Sequence, residues 1–351
     1  MTVKRLFKKI LIYLLPFVML FGVFFCFETY DYYAIQKNPE YQIEPLSSMR
    51  YIMMKHPQKI ILGDSRMANL DIDYVNELTG ENYTRLAYGG AQLGDSIEMF
   101  WLATEYCDLE KVIFGINFYT SKGTQINNPD SAFDKAKPYA DNVFKFATNM
   151  NYWLKALAHL KQVITNPIFR ALGMESRVVI PENPPKDNIV PDATMGEKWR
   201  LNMEEYSDSI QKGMTSYDFQ DKTYKALQEV IDYCDENGID LIFVFPPVHD
   251  VIYERVIAVN KMEDDLARIK SFLFKRATVY DFEIQSEFTA AQDTFYDGFH
   301  LMLENKWLFA RLLFTDTDEH PELVNRYIRN GVAIIPEHLL MKHITYSSKK
   351  R

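Results

Sequence analysis

The sequence predicts an α/β domain carried behind one N-terminal apolar helix, with a parallel sheet of about five strands. Three observations predict it. Short apolar runs recur along the chain and several stop at Gly, Asn or Pro, as buried strands do. Amphipathic stretches separate the later runs, and strands alternating with helices favour a parallel sheet covered on both faces. An uncharged stretch, Ile10 to Phe27, precedes all of them.

That stretch approaches the roughly 17–25 residues a bilayer-spanning helix needs. Lys4, Arg5, Lys8 and Lys9 lie before it, and Glu28-Thr29-Tyr30-Asp31-Tyr32-Tyr33 after it. The cationic flank predicts a cytoplasmic N-terminus and an extracytoplasmic body. A cleaved signal peptide is the competing reading, but no Ala-x-Ala-like site follows and the residues before Cys26 are bulky. An uncleaved signal anchor over 1–33 is therefore expected.

A stalk over 34–57 leads into the folded body. Lys59-Ile60-Ile61-Leu62-Gly63 predicts a first strand, and Tyr83–Ala87 a weaker second, ending at Gly89-Gly90. Ile97, Phe100, Trp101 and Ala103 give a helical stripe over Gly94–Tyr106. Lys111–Asn117 is a third strand. A helix over Tyr217–Asn237 stops at Gly238. Leu241–Phe245 is a fourth strand closed by Pro246-Pro247, Val251–Phe274 a helix, and Ala277–Asp281 a fifth strand. Residues 125–206 interrupt the alternation with an apolar, weakly basic helix near Asn151–Thr165 and a Pro-rich loop over Pro181–Pro191. This insertion reads as a surface elaboration, a lid, or a face that docks on a membrane or a membrane partner. Residues 321–351 form a C-terminal extension.

Bulk properties exclude several classes. The composition, 47% hydrophobic and 25% charged, is that of a folded chain. Net charge is −9, and the basic N-terminus leaves the remainder near −13. An acidic body lacks the clustered cations that nucleic acid requires. Three cysteines are too few for a disulfide framework, and Cys107 and Cys234 read as buried thiols. No Cys/His spacing suggests a metal site, and nothing calls for a cofactor.

In open parallel sheets, ligands bind beyond the carboxyl ends of the strands. Ser65, Gly90, Asn117 and His249 all fall at or just past such ends. Four strings there resemble the blocks of the SGNH (GDSL-type) hydrolase superfamily. Ile61-Leu62-Gly63-Asp64-Ser65-Arg66 resembles its nucleophile block, and Leu86-Ala87-Tyr88-Gly89-Gly90-Ala91 its glycine block. Gly115-Ile116-Asn117 resembles its asparagine block, and Asp297-Gly298-Phe299-His300-Leu301 its closing Asp-x-x-His. The third block departs from the family's usual Gly-x-Asn-Asp, because Phe118 follows Asn117. The resemblance covers roughly 58–125 and 215–315. It implies a three-layer, flavodoxin-like SGNH fold over 58–320. It also implies acyl transfer through a serine ester: Ser65 as nucleophile, His300 as base, Asp297 as its orienter, and an oxyanion hole from the Ser65 and Gly90 amides and the Asn117 side chain.

The anchored topology is similar to that of membrane-tethered SGNH-like proteins that work beside a multi-spanning O-acyltransferase on an envelope glycan or polymer. This narrower expectation is an analogy of architecture. A non-catalytic accessory protein with the same fold, and a lipid esterase, are the competing readings. Arg66 either binds an anionic substrate group or pairs with a carboxylate. His249 either lines the site or is a satisfied loop histidine.

Overall fold

The computed structural model describes residues 3–34, 44–116, 128–171, 221–258, 262–295, 298–315 and 320–327. Every apolar run read as a strand forms one: β1 (Lys59–Leu62), β2 (Tyr83–Arg85), β3 (Lys111–Gly115), β4 (Asp240–Phe245) and β5 (Thr278–Asp281). They pair in parallel in the order β2-β1-β3-β4-β5. Winding turns outward in both directions from β1 and β3, which opens a crevice beyond their carboxyl ends. A sixth strand, β6 (Asn325–Tyr327), runs antiparallel beside β5. It lies inside the stretch read from sequence as an extension.

The helices, in chain order, are α1 (Val3–Phe27), α2 (Pro45–Lys55), α3 (Ser65–Ala68), α4 (Ile72–Thr79), α5 (Leu93–Tyr106), α6 (Ala132–Ala140), α7 (Val143–Thr148) and α8 (Met150–Ala171). They continue with α9 (Asp221–Asn237), α10 (Asp250–Ile252), α11 (Glu263–Phe274), α12 (Glu287–Ala290) and α13 (Leu303–Phe314). Strand side chains alternate between the two faces of the sheet. Ile60, Leu62, Val112, Phe114, Phe243 and Phe245 pack against α2, α5, α9 and α11 on one side. Ile61, Ile113, Ile242 and Val244 pack with Met67, Val75, Phe309 and Leu313 on the other. Both faces are thus dry, which is why these strands read as unbroken apolar runs.

Two expected elements take a different form. Within the stretch read as a stalk, Pro45 opens α2, and Leu46, Met49 and Ile52 on its inner face are buried in the core. The single helix expected over Val251–Phe274 is instead α10, a π-helical turn over Tyr253–Ala258, and α11. The Pro181–Pro191 loop, like all of 172–206, lies outside the described residues.

One close approach fixes how β1 leaves the sheet. The Met67 side chain lies over Gly63 and Gly115, where an added Cβ would stand 2.8 Å and 2.3 Å from Met67 Cγ. Gly63 also holds φ at +136°, a conformation other residues rarely adopt. We expect Gly115→Ala to cost about 1–3 kcal/mol by overpacking, read as a lower denaturant midpoint. Met67→Ala in the same chain should return part of that loss. An unchanged midpoint for Gly115→Ala would show that the approach is loose.

Candidate active site

Ser65 sits where β1 gives way to α3. Gly63 turns the chain, and Asp64 caps the helix by accepting the Arg66 amide at 3.0 Å. Serine thereby becomes the first residue of a tight turn at the mouth of the crevice. Asn69 secures that turn from behind, donating from its amide and its side chain to the Ser65 carbonyl at 2.9 and 2.8 Å.

His300 arrives from the other end of the domain. Phe295 and Leu301 bridge in antiparallel fashion, and the Met302 amide donates to the Thr294 carbonyl at 2.9 Å. The loop they close turns at Gly298, where φ is +86°. It delivers His300 Nε2 to 2.7 Å from Ser65 Oγ, across 235 residues of sequence. With the ring proton on Nδ1, the hydroxyl donates to Nε2, the arrangement a general base needs.

Arg66 and His249 hold these two loops together. The Arg66 side chain is only 3% exposed; its Nη1 donates to the Pro246 carbonyl at 3.0 Å, and its Nε lies 3.5 Å from Asp64. It therefore ties the nucleophile turn to the end of β4. His249 is also buried. Its amide donates to the Gly298 carbonyl at 2.9 Å, and its Nδ1 accepts the Val251 amide at 3.1 Å, capping α10. The end of β4 is thus bonded forward to the loop bearing His300 and backward to the turn bearing Ser65. Of the two readings left open for each residue, the geometry supplies a carboxylate for Arg66 and internal partners for His249. Arg66 also walls a small pocket with Leu70, Pro246, Phe299, Leu301 and Phe309.

A buried charge cluster stands behind this clamp, at the end of β5. Lys270 Nζ lies 2.9 Å from Asp281 and 3.4 Å from Glu283. Burial pushes the Glu283 carboxyl up, while Lys270 and Arg66 pull it down. Burial alone would drive Lys270 towards neutrality, but the two acids hold its pKa well above the usual lysine value. Sequence reading did not find this group. Lys270 and Glu283 are single charges in otherwise ordinary segments, and only tertiary contact makes them a unit.

The remaining expected residues divide into two groups. Gly90 lies on the loop after β2, at φ +75°, exposed, with nothing within 4 Å of where a Cβ would stand. That loop is drawn beside the nucleophile turn, since the Tyr88 amide donates to the Gly63 carbonyl at 3.3 Å. Asn117 and Asp297 lie outside the described residues. Their neighbours are placed: the Ile116 amide donates to the Val244 carbonyl at 2.7 Å, and Gly298 meets His249 as above. Among the described residues, no group of three or more His, Cys, Asp or Glu side chains could hold a metal ion.

The clamp gives two expectations. Arg66→Met should cost about 1–3 kcal/mol in chemical denaturation, because the Pro246 carbonyl and Asp64 both lose a buried partner; Arg66→Lys should recover part of it. Equal stability of Arg66→Met and parent would remove the clamp. The second concerns pH. Burial lowers the His249 pKa from its ordinary 6.5, with the Ala290 backbone partly offsetting this. The unfolded chain then binds the proton more readily, so stability is full above about pH 6.5 and falls as pH drops towards the folded value. His249→Asn keeps a capping side chain and should lose less stability than the parent between pH 7 and pH 5. Parallel pH–stability curves for the two proteins would contradict this.

Comparison with known proteins adds little to this geometry. No family model matches the chain, and no curated protein does. Among solved structures, the chain is similar to one from Streptococcus pneumonia provisionally described as a platelet activating factor. Identity is 9%, the match covers 85% of this chain and 97% of that one, and the TM-score is 0.39.

Proposed function

We propose that the protein is a membrane-anchored extracytoplasmic serine acyltransferase or esterase, acting on an envelope polysaccharide or polymer through an acyl-serine intermediate. One observation carries the chemistry: the 2.7 Å approach of Ser65 Oγ and His300 Nε2, each delivered by its own loop to the carboxyl edge of a parallel sheet. The strand order and the dry faces support a three-layer, flavodoxin-like SGNH architecture. α1 supports the anchor, because Lys9–Phe27 has a mean hydropathy of 2.6 over a length able to cross a bilayer. The cationic flank before it supports an extracytoplasmic body.

In this reading Ser65 Oγ attacks the acyl carbonyl while His300 Nε2 takes its proton. The imidazolium returns that proton to the departing alcohol oxygen, leaving the acyl group on Ser65. Water or an acceptor hydroxyl, activated by the same imidazole, then releases it. Asp297 would orient the ring. The Ser65 and Gly90 amides with the Asn117 side chain would hold the oxyanion, each donor worth about 3–4 kcal/mol of barrier. A multi-spanning membrane O-acyltransferase is the partner proposed to supply the acyl group.

Fluorophosphonate labelling of the purified full chain tests the nucleophile. Ser65→Ala should abolish labelling, and His300→Ala should slow it by about 10²–10⁴-fold through loss of the base. Should Ser65→Ala label as readily as the parent, the enzyme reading gives way to that of a non-catalytic scaffold.

A further inference from the structure

The last turns of α1 do not stand free of the domain. Phe24 is fully buried, with its ring 4.6 Å from that of Trp153 and 5.3 Å from that of Phe146. Phe21 meets Trp153 at 6.2 Å, Phe25 meets Phe146 at 6.3 Å, and His159 Nδ1 lies 2.9 Å from the Phe27 carbonyl. Thus α7 and α8 clasp the segment from Phe21 to Phe27. Yet Lys9–Phe27 comprises 19 residues, rising about 28 Å against a hydrocarbon core of roughly 30 Å. A span of that length has no turns to spare. If it crosses the bilayer, the helices clasping its outer end must themselves sit at the bilayer surface.

Their outer faces suit that position. Phe144 on α7 is 78% exposed, and on α8 Met150, Leu154, Leu157 and Ile164 form an exposed apolar stripe at helical spacing. Leu154 is 58% and Leu157 48% exposed. Lys161 lies within the stripe, where its stem can cover apolar surface while the ammonium reaches a headgroup. Beside the stripe, Tyr30 and Tyr139 each meet the Tyr152 ring edge-on, and Trp153 packs on Phe24. Such amphipathic aromatics favour the boundary between lipid and water.

We infer that α7 and α8 lie in the outer headgroup layer, with Phe144 and the Met150–Ile164 stripe against lipid, so that the domain is seated on the membrane rather than hung from it. This rests on the reading of α1 as a membrane span. The occupant is lipid rather than a protein partner because the stripe is continuous with the buried contact between α8 and the spanning helix.

The test uses the full chain in vesicles of phosphatidylcholine and phosphatidylglycerol, with Cys26 replaced by Ser. Cys107 and Cys234 stay silent, since burial pushes both thiols up to about 12. An environment-sensitive fluorophore is placed at Leu154→Cys, Leu157→Cys or, as a control, Lys225→Cys, whose native side chain is 79% exposed on α9. Probes at 154 and 157 should emit at shorter wavelength than the one at 225 and should lose intensity to shallow spin-labelled lipid. The probe at 225 should not. Carbonate extraction of the same vesicles reports the anchor separately. If the chain resists extraction but 154 and 157 emit as 225 does, the seating is overturned while the anchor stands. If carbonate releases the chain, both fall. If the probes become apolar only in native membranes, a protein partner covers the stripe and lipid does not.

Discussion

The hydrogen bond between Ser65 and His300 joins two loops that share no secondary structure, and it exists only because the sheet holds their bases in register. Ser65 follows β1, and His300 lies within the loop that Phe295 and Leu301 close after α12. Neither loop touches the other through a strand pair. What sets their separation is the end of β4, bonded to one loop through Arg66 and to the other through His249. A hydroxyl and an imidazole must come within about 2.6–3.2 Å for proton transfer, so the clamp matters as much as the two side chains it positions.

The clamp also explains where charge is buried. A guanidinium enclosed to 3% exposure would be costly alone. It is held by the Pro246 carbonyl, by Asp64 at the start of α3, and by the field of Glu283. Lys270 and Asp281 extend the same compensation to the end of β5. Charges of alternating sign thus follow the carboxyl edge of the sheet from β1 to β5.

Much of the fold was legible because both faces of the sheet are dry. Ile60–Leu62, Val112–Phe114 and Leu241–Phe245 could only be apolar runs, and runs of that length bounded by Gly or Pro read as strands. Asn325–Tyr327 had no such signature: an edge strand pairs on one side only and tolerates polar residues, so β6 went unread. The helix α2 was legible in principle through Leu46, Met49 and Ile52, but its place beside the apolar segment suggested a tether. At the site, Ser65 and His300 were found by local pattern. Arg66 and His249 were named, but their partners are 180 and 49 residues away, the first through the Pro246 carbonyl and the second through that of Gly298. No local pattern encodes a contact with a main-chain carbonyl.

On the proposed function, a domain clasped to its own membrane helix would work at a fixed height above the lipid, on substrates presented in that layer. Whether catalysis occurs there depends on whether Ser65 carries an acyl group during turnover. Incubation of the purified full chain with an activated ester, acid quenching and peptide mass spectrometry asks this directly. The account predicts the acyl mass on the peptide containing Ser65 and its loss in His300→Ala. An unmodified Ser65 peptide, or equal acylation with and without the imidazole, would contradict it.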